Sequence, residues 1–138
     1  MDLNGIGVAG CGRMGGPMLA AMRNAGLDAM GYDVRPVPNL GAAMLDQAAF
    51  AARLQTLVSV VRDIDQTDDV LFGAQNFVAA PGLRRIIISS TLSPRYVRDL
   101  RARVPDHIAL IDAPMSGAQI AAQESRLSFM LGGATADL

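Results

Sequence analysis

The stretch GVAGCGRMGG, residues 7–16, sets glycines at 10, 12 and 15 in the spacing G-x-G-x-x-G. Glycine inside a regular element costs roughly 0.5–1 kcal/mol relative to alanine, so the cluster implies a sharp turn or a very close approach by another group. With a strand entering and a helix leaving, the first glycine permits the turn and the second admits a pyrophosphate. The third lets helix and strand pack closely. Cys11, Arg13 and Met14 lie between these glycines, and the loop's backbone N–H groups then meet a phosphate at a helix N-terminus, with the helix dipole behind them. Asp33 stands 23 residues after Gly10, where a carboxylate can hold the hydroxyls of an adenine ribose. A carboxylate there repels a 2′-phosphate and favours NAD over NADP. Arg35, beyond Val34, points to NADP if its guanidinium pairs with that phosphate. The plainer reading makes Arg35 a surface arginine beside Pro36 and Pro38.

Other reactive side chains suggest no competing chemistry. Cys11 has no evident basic partner and reads as a small turn residue rather than a nucleophile. His107 follows Pro105-Asp106 at a strand entrance and reads as surface structure rather than as an acid–base group. Asp63, Asp65, Asp68 and Asp69 lack histidine partners, so they form a solvated acidic face rather than a metal site. Arg95, Arg98 and Arg101 make a solvated stripe on one helix. Twelve residues are arginine and none is lysine.

These groups need a scaffold, and the apolar pattern supplies one. Residues 4–10 form a short apolar run ending in glycine, and Met14, Met18, Met22 and Ala25 then recur at helical spacing, with Gly26 as the stop. Strands are expected at 28–33, 56–61, 84–90 and 107–112, with a last candidate at 126–133. Between them, 42–53 and roughly 66–72 are expected to be helical. A helix starting at Ser93 and Pro94, as N-cap and N1, ends before Pro105. Nearly continuous apolar strands alternating with helices imply a mostly parallel sheet covered on both faces. The fold expected is doubly wound α/β, a Rossmann-type NAD(P)-binding domain spanning residues 1–138.

Composition agrees with one such domain. At 138 residues the chain can bury about two-thirds of its unfolded surface. Hydrophobic residues make up 51% and charged residues 18%, with a net charge of −1. That balance gives no electrostatic reason for a nucleic-acid or anionic-membrane partner. No apolar run approaches bilayer length, and Met-Asp-Leu-Asn at the start lacks the basic segment of a signal peptide. A single cysteine fits a reducing, cytoplasmic setting.

Three stretches together resemble a known family. GIGVAGCGRMGGPMLAAMRNAG (5–26) is similar to the amino-terminal signature of the β-hydroxyacid dehydrogenases. This group includes 3-hydroxyisobutyrate dehydrogenase and tartronate semialdehyde reductase and is related to 6-phosphogluconate dehydrogenase. SSTLSP (89–94) resembles that family's Ser-Thr-x-Ser-Pro segment. DAPMSGAQIAAQESRLSFMLGG (112–133) resembles its Asp-Ala-Pro-Val-Ser-Gly-Gly substrate motif and the strand behind it. The resemblance implies that the Gly10–Gly15 loop takes the pyrophosphate and that Asp33 takes the adenosine ribose. It sets the backbone of Val61 and Arg62 along the cofactor, although Arg62 replaces the usual proline. It brings Thr91 to the nicotinamide ribose and substrate. Ser116 and Gly117 fall in the loop that holds the substrate's carboxylate or hydroxyl, with Ala118 in place of a second glycine. A serine hydroxyl and unobstructed backbone N–H groups suit a carboxylate.

The resemblance also implies what residues 1–138 do not supply. Its proton-transferring lysine comes from a second, helical domain, which also closes the cleft and makes the oligomer. The chain reads as the cofactor half of an oxidoreductase for small 3-hydroxy acids, with no catalytic residue of its own. The alternative is a stand-alone, non-catalytic nucleotide-binding module.

Overall fold

The computed structural model describes residues 3–138. Met1 and Asp2, on which the reading of the amino terminus partly rests, lie outside the described residues. Five short strands form one parallel sheet: β1 (Ile6–Ala9), β2 (Ala29–Tyr32), β3 (Thr56–Ser59), β4 (Arg85–Ile88) and β5 (Ala109–Asp112). Their order is β2-β1-β3-β4-β5. The helices between them are α1 (Gly15–Asn24), α2 (Gln47–Arg53), α3 (Ile64–Leu71) and α4 (Pro94–Arg103). Beyond β5 come β6 (Met115–Ser116), α5 (Gln119–Gln123) and β7 (Ser128–Phe129).

Strand periodicity divides the core between the two sheet faces. Ile6, Val8 and Val58 join Met18 and Leu19 of α1 on one face. Ala9, Leu57, Ile86, Ile88 and Leu110 join Phe50 of α2, Leu71 of α3 and Leu100 of α4 on the other. Tyr32, Phe50 and Phe77 meet edge-on and tilted, with ring centroids 4.9–5.7 Å apart. The register aligns Tyr32, Ala9, Ser59, Ile88 and Asp112 as one row. The loops following that row make a single rim at the carboxyl edge of the sheet.

Some boundaries differ from the sequence reading. The helix expected over 42–53 is a 3₁₀ turn at Gly41–Ala43 followed by α2. Met44 bridges to Gly31, and the Asp46 carboxylate accepts from the N–H of Ala49, which starts the helix later. Residues 126–133 do not extend the parallel sheet. Only Ser128–Phe129 is a strand, antiparallel to β6, and Gly132 bridges antiparallel to Asp112 at the sheet edge. Ser93 does occupy the N-cap of α4, but its side chain makes no capping bond.

Asp63, Asp65, Asp69, Arg95 and Arg98 are exposed as expected, but Asp68 and Arg101 are half-buried and tied into the fold. Asp63 caps α3 through the N–H of Gln66. Asp68 accepts from the Tyr96 hydroxyl at 2.8 Å and from Arg103 at 2.9 Å, tying α3 to α4. Arg101 donates to the carbonyls of Val104, Pro105 and Ile108 and so closes the end of α4 instead of facing solvent.

Candidate dinucleotide site

Strand order reverses between β1 and β3, because the chain leaves β1 for β2 on one side and returns to β3 on the other. In open α/β sheets ligands bind at such a switch point, outside the carboxyl ends of the strands. The glycine loop lies there. Gly10 has φ +92°, and a Cβ on it would meet the Val60 carbonyl oxygen at 2.5 Å. A Cβ on Gly15 would fall within the Gly10 carbonyl oxygen, so α1 can begin this close to β1 only without a side chain. Gly15→Ala is therefore expected to destabilise the fold by about 3 kcal/mol or more, since neither backbone can yield. Urea denaturation against the parent checks this, and a change below about 1 kcal/mol would refute it.

Gly12 differs from both neighbours. A Cβ there would meet nothing within 4 Å, so the protein's own packing does not demand a glycine. Among the described residues, the N–H groups of Gly12, Arg13 and Met14 donate to no protein group. Met14, at the N-cap, provides no side-chain cap. An open face at Gly12, free donors and the positive end of a ten-residue helix together suit a pyrophosphate. The residues present therefore fit the phosphate part of a dinucleotide.

Asp33 follows β2, next to the loop, as its spacing anticipated. Its carboxylate accepts from the Cys11 N–H at 2.8 Å and from the Arg35 N–H at 2.9 Å. Val34 and Arg35 are exposed, and among the described residues no hydrogen bond or ion pair holds the Arg35 guanidinium. Cys11 is buried, and its thiol donates towards the carbonyls of Val8 and Tyr32. Burial, followed by the charge of Asp33, pushes the thiol pKa up to about 12. It stays protonated near neutrality, which agrees with a packing role.

On the other side of the switch point, Val61 and Arg62 follow β3. The Arg62 N–H donates to Gln66 Oε1 at 3.0 Å. Thr91 is exposed in the connection from β4 to α4. Arg62, Asp63, Ile64, Asp65, Thr91, Leu92 and Ser93 line a shallow depression of about 380 Å³. Val61 and Thr91 are drawn together by a residue the sequence reading passed over. Ser90 donates its hydroxyl to the Val61 carbonyl, joining the two loops. The run of hydroxyl residues in SSTLS was its only signal.

Ser116, which ends β6, and Gly117 and Ala118, which lead to α5, are all exposed. The helix behind them packs against α1, so this loop stands on the α1 side of the sheet, after β5. His107 lies before β5, at the opposite edge from the rim. Among the described residues, no three His, Cys, Asp or Glu side chains converge to hold a metal. No helix among them is long and apolar enough to cross a membrane.

The sequence is similar to several proteins named as dehydrogenases or reductases. It is 32% identical to an L-threonate dehydrogenase of Pectobacterium atrosepticum, over 93% of this chain and 45% of that protein. It is 31% identical to the 2-hydroxy-3-oxopropionate reductase of Escherichia coli, over 93% of this chain and 46% of that one. The 3-hydroxyisobutyrate dehydrogenase of Mycobacterium tuberculosis, solved with L-serine, superposes with a TM-score of 0.79 at 28% identity. That match covers 96% of this chain and 47% of the other. The chain thus spans a little under half the length of the relatives it matches. Residues 5–138 match the NAD binding domain of 6-phosphogluconate dehydrogenase as a family, and with the glycine loop, Asp33 and a five-stranded parallel sheet in place, the chain belongs to that family.

Proposed function

We propose that residues 1–138 act as the cofactor-binding unit of an oxidoreductase that moves a hydride between NAD and a small 3-hydroxy acid. The observation that carries this reading is Gly12, where an added Cβ would meet nothing within 4 Å, set at the switch point among N–H groups that find no partner among the described residues. The three relatives named above support the substrate class, since each is named for a small hydroxy or oxo acid.

In this reading the Gly10–Gly15 loop, with Cys11, Arg13 and Met14, holds the pyrophosphate through backbone N–H groups. Asp33 takes the adenosine ribose, flanked by Val34 and Arg35. Val61, Arg62 and Thr91 line the nicotinamide side, and Ser116, Gly117 and Ala118 receive the acid. The nicotinamide ring supplies hydride acceptance and donation when bound. The chain's own residues bind and orient, which by itself lowers the barrier between two reactants.

The Asp33 carboxylate is held in place by two backbone donors, so it stays at the ribose and opposes a 2′-phosphate. NAD is expected to bind at least about tenfold more tightly than NADP. Isothermal titration with both, and S-adenosylmethionine as a control, checks this. No heat with either nicotinamide cofactor would refute the dinucleotide reading, and tighter NADP binding would refute the preference.

The absence of lysine from these 138 residues favours a second reading, a nucleotide-binding module without catalysis. The codons downstream of Leu138 distinguish the two. A continuing frame with a lysine-bearing helix supports the oxidoreductase, and a stop codon supports the module.

A further inference from the structure

Strand pairing between β1 and β2 ends at Ala9 and Tyr32. One more backbone bond follows, from the Gly10 N–H to the Tyr32 carbonyl at 3.0 Å. Beyond it the glycine loop has no ladder to hold it until α1 begins. What crosses this gap is Asp33: its Oδ2 accepts from the Cys11 N–H at 2.8 Å, and its Oδ1 accepts from the Arg35 N–H at 2.9 Å. The Cys11 thiol also reaches the carbonyls of Val8 and Tyr32, at 3.4 and 3.7 Å, but S–H is a weak donor. A hydrogen bond to a carboxylate is roughly twice as strong as one between neutral groups.

We infer that Asp33 is a positioning residue for the pyrophosphate cradle as well as a ribose ligand, because its carboxylate latches the glycine loop to the end of β2. The inference rests on the dinucleotide reading above for what the cradle holds. The chemistry explains why an acid suits this position better than its amide. A carboxylate offers about four lone-pair positions, enough for both backbone donors and for ribose hydroxyls. Each donor here has its own carboxylate oxygen, so in the same orientation asparagine, with one acceptor oxygen, keeps the Cys11 bond or the Arg35 bond but not both. Its NH₂ would then face the other N–H, donor against donor.

The latch and simple electrostatics predict opposite results for a ligand without ribose. If Asp33 acts on the loop only through its charge, removing that charge strengthens binding of a nearby anion. If it holds the loop, removing it scatters the donors and weakens binding. Inorganic pyrophosphate is the probe, titrated into the 138-residue chain while the amide resonances of Gly12, Arg13 and Met14 are followed by NMR.

The expected order of affinity is parent, then Asp33→Asn, then Asp33→Ala, with Asp33→Ala at least about tenfold weaker than the parent. If Asp33→Ala does not fold, the parent and Asp33→Asn carry the comparison. Binding by either variant as tight as the parent's, or tighter, overturns the latch. So does a parent whose loop amides do not respond to pyrophosphate. Titrating NAD into the same samples keeps the two readings apart. The expected order with pyrophosphate but no NAD binding would sustain the latch and reject the dinucleotide. NAD binding with the order reversed would do the opposite.

Discussion

Gly12→Val is expected to abolish NAD binding, by at least about a hundredfold, while the domain stays folded. The two halves of this expectation have separate causes. Gly12 does not have the positive φ of Gly10, so a β-branched residue meets no backbone penalty of that kind. A Cβ there meets nothing within 4 Å, so a side chain can branch into open space. What it fills is the space over the free N–H groups of the loop, where a pyrophosphate must come within hydrogen-bonding distance. Isothermal titration measures the first half and urea denaturation the second. A variant that binds NAD like the parent would show that Gly12 is incidental. One that unfolds would show that the loop is held more tightly than its open face suggests. The contrast with Gly15→Ala is the sharper test, because one motif then contains a glycine needed by the ligand and another needed by the fold.

The 138-residue chain alone is expected to oxidise 3-hydroxy acids at least about a hundredfold more slowly than a lysine-containing full-length relative, even with saturating NAD. Loss of a positioned acid–base group typically costs 10²–10⁴-fold. The candidates within the chain fail for individual reasons. Thr91 and Ser116 carry hydroxyls, which are too weakly basic to take a proton from an alcohol. Asp33 already accepts from Cys11 and Arg35 and lies beside the outermost strand of the rim. His107 carries an imidazole but lies at the opposite edge of the sheet. Asp112 is a group the sequence reading did not single out as a base. It ends β5 on the rim, and burial raises its carboxyl above the usual range. It bridges to Gly132 through its backbone, and its carboxylate is the one to remove as a control. NADH formation with 3-hydroxyisobutyrate and D-glycerate is the measurement. Turnover comparable to the full-length relative, persisting in Asp112→Asn and His107→Ala, would overturn the expectation.

The glycine turn was legible in the sequence because the strand–turn–helix pattern around it is local. Gly15 answers to the Gly10 carbonyl within the same strand–turn–helix unit, which the spacing states directly, whereas Gly10 answers to Val60 and Val61 beyond β3, which it does not. The alternation along β1 and β3 and Gly26 closing α1 were legible for the same local reason. The carboxy-terminal third was less legible. Apolar residues in LSFML suggested a sixth strand, yet Phe129, Met130 and Leu131 are exposed in the fold. A short apolar run does not say which sheet it joins.

What the sequence by itself determined was the parallel, doubly wound architecture, the glycine turn between β1 and α1 and the place of Asp33 at the end of β2. Hydrophobic period and glycine spacing are properties of neighbouring residues and survive translation into one dimension. Only the tertiary structure decided where each polar group's hydrogen bonds go. It showed Asp33 joined to Cys11, 22 residues earlier in the chain, Asp68 shared by Tyr96 and Arg103, and Ser90 joining two loops through Val61. It also separated Gly12 from Gly15, which the motif writes with the same letter. Those distinctions depend on which atoms of remote segments come within a few ångströms, and the packing of the sheet sets that.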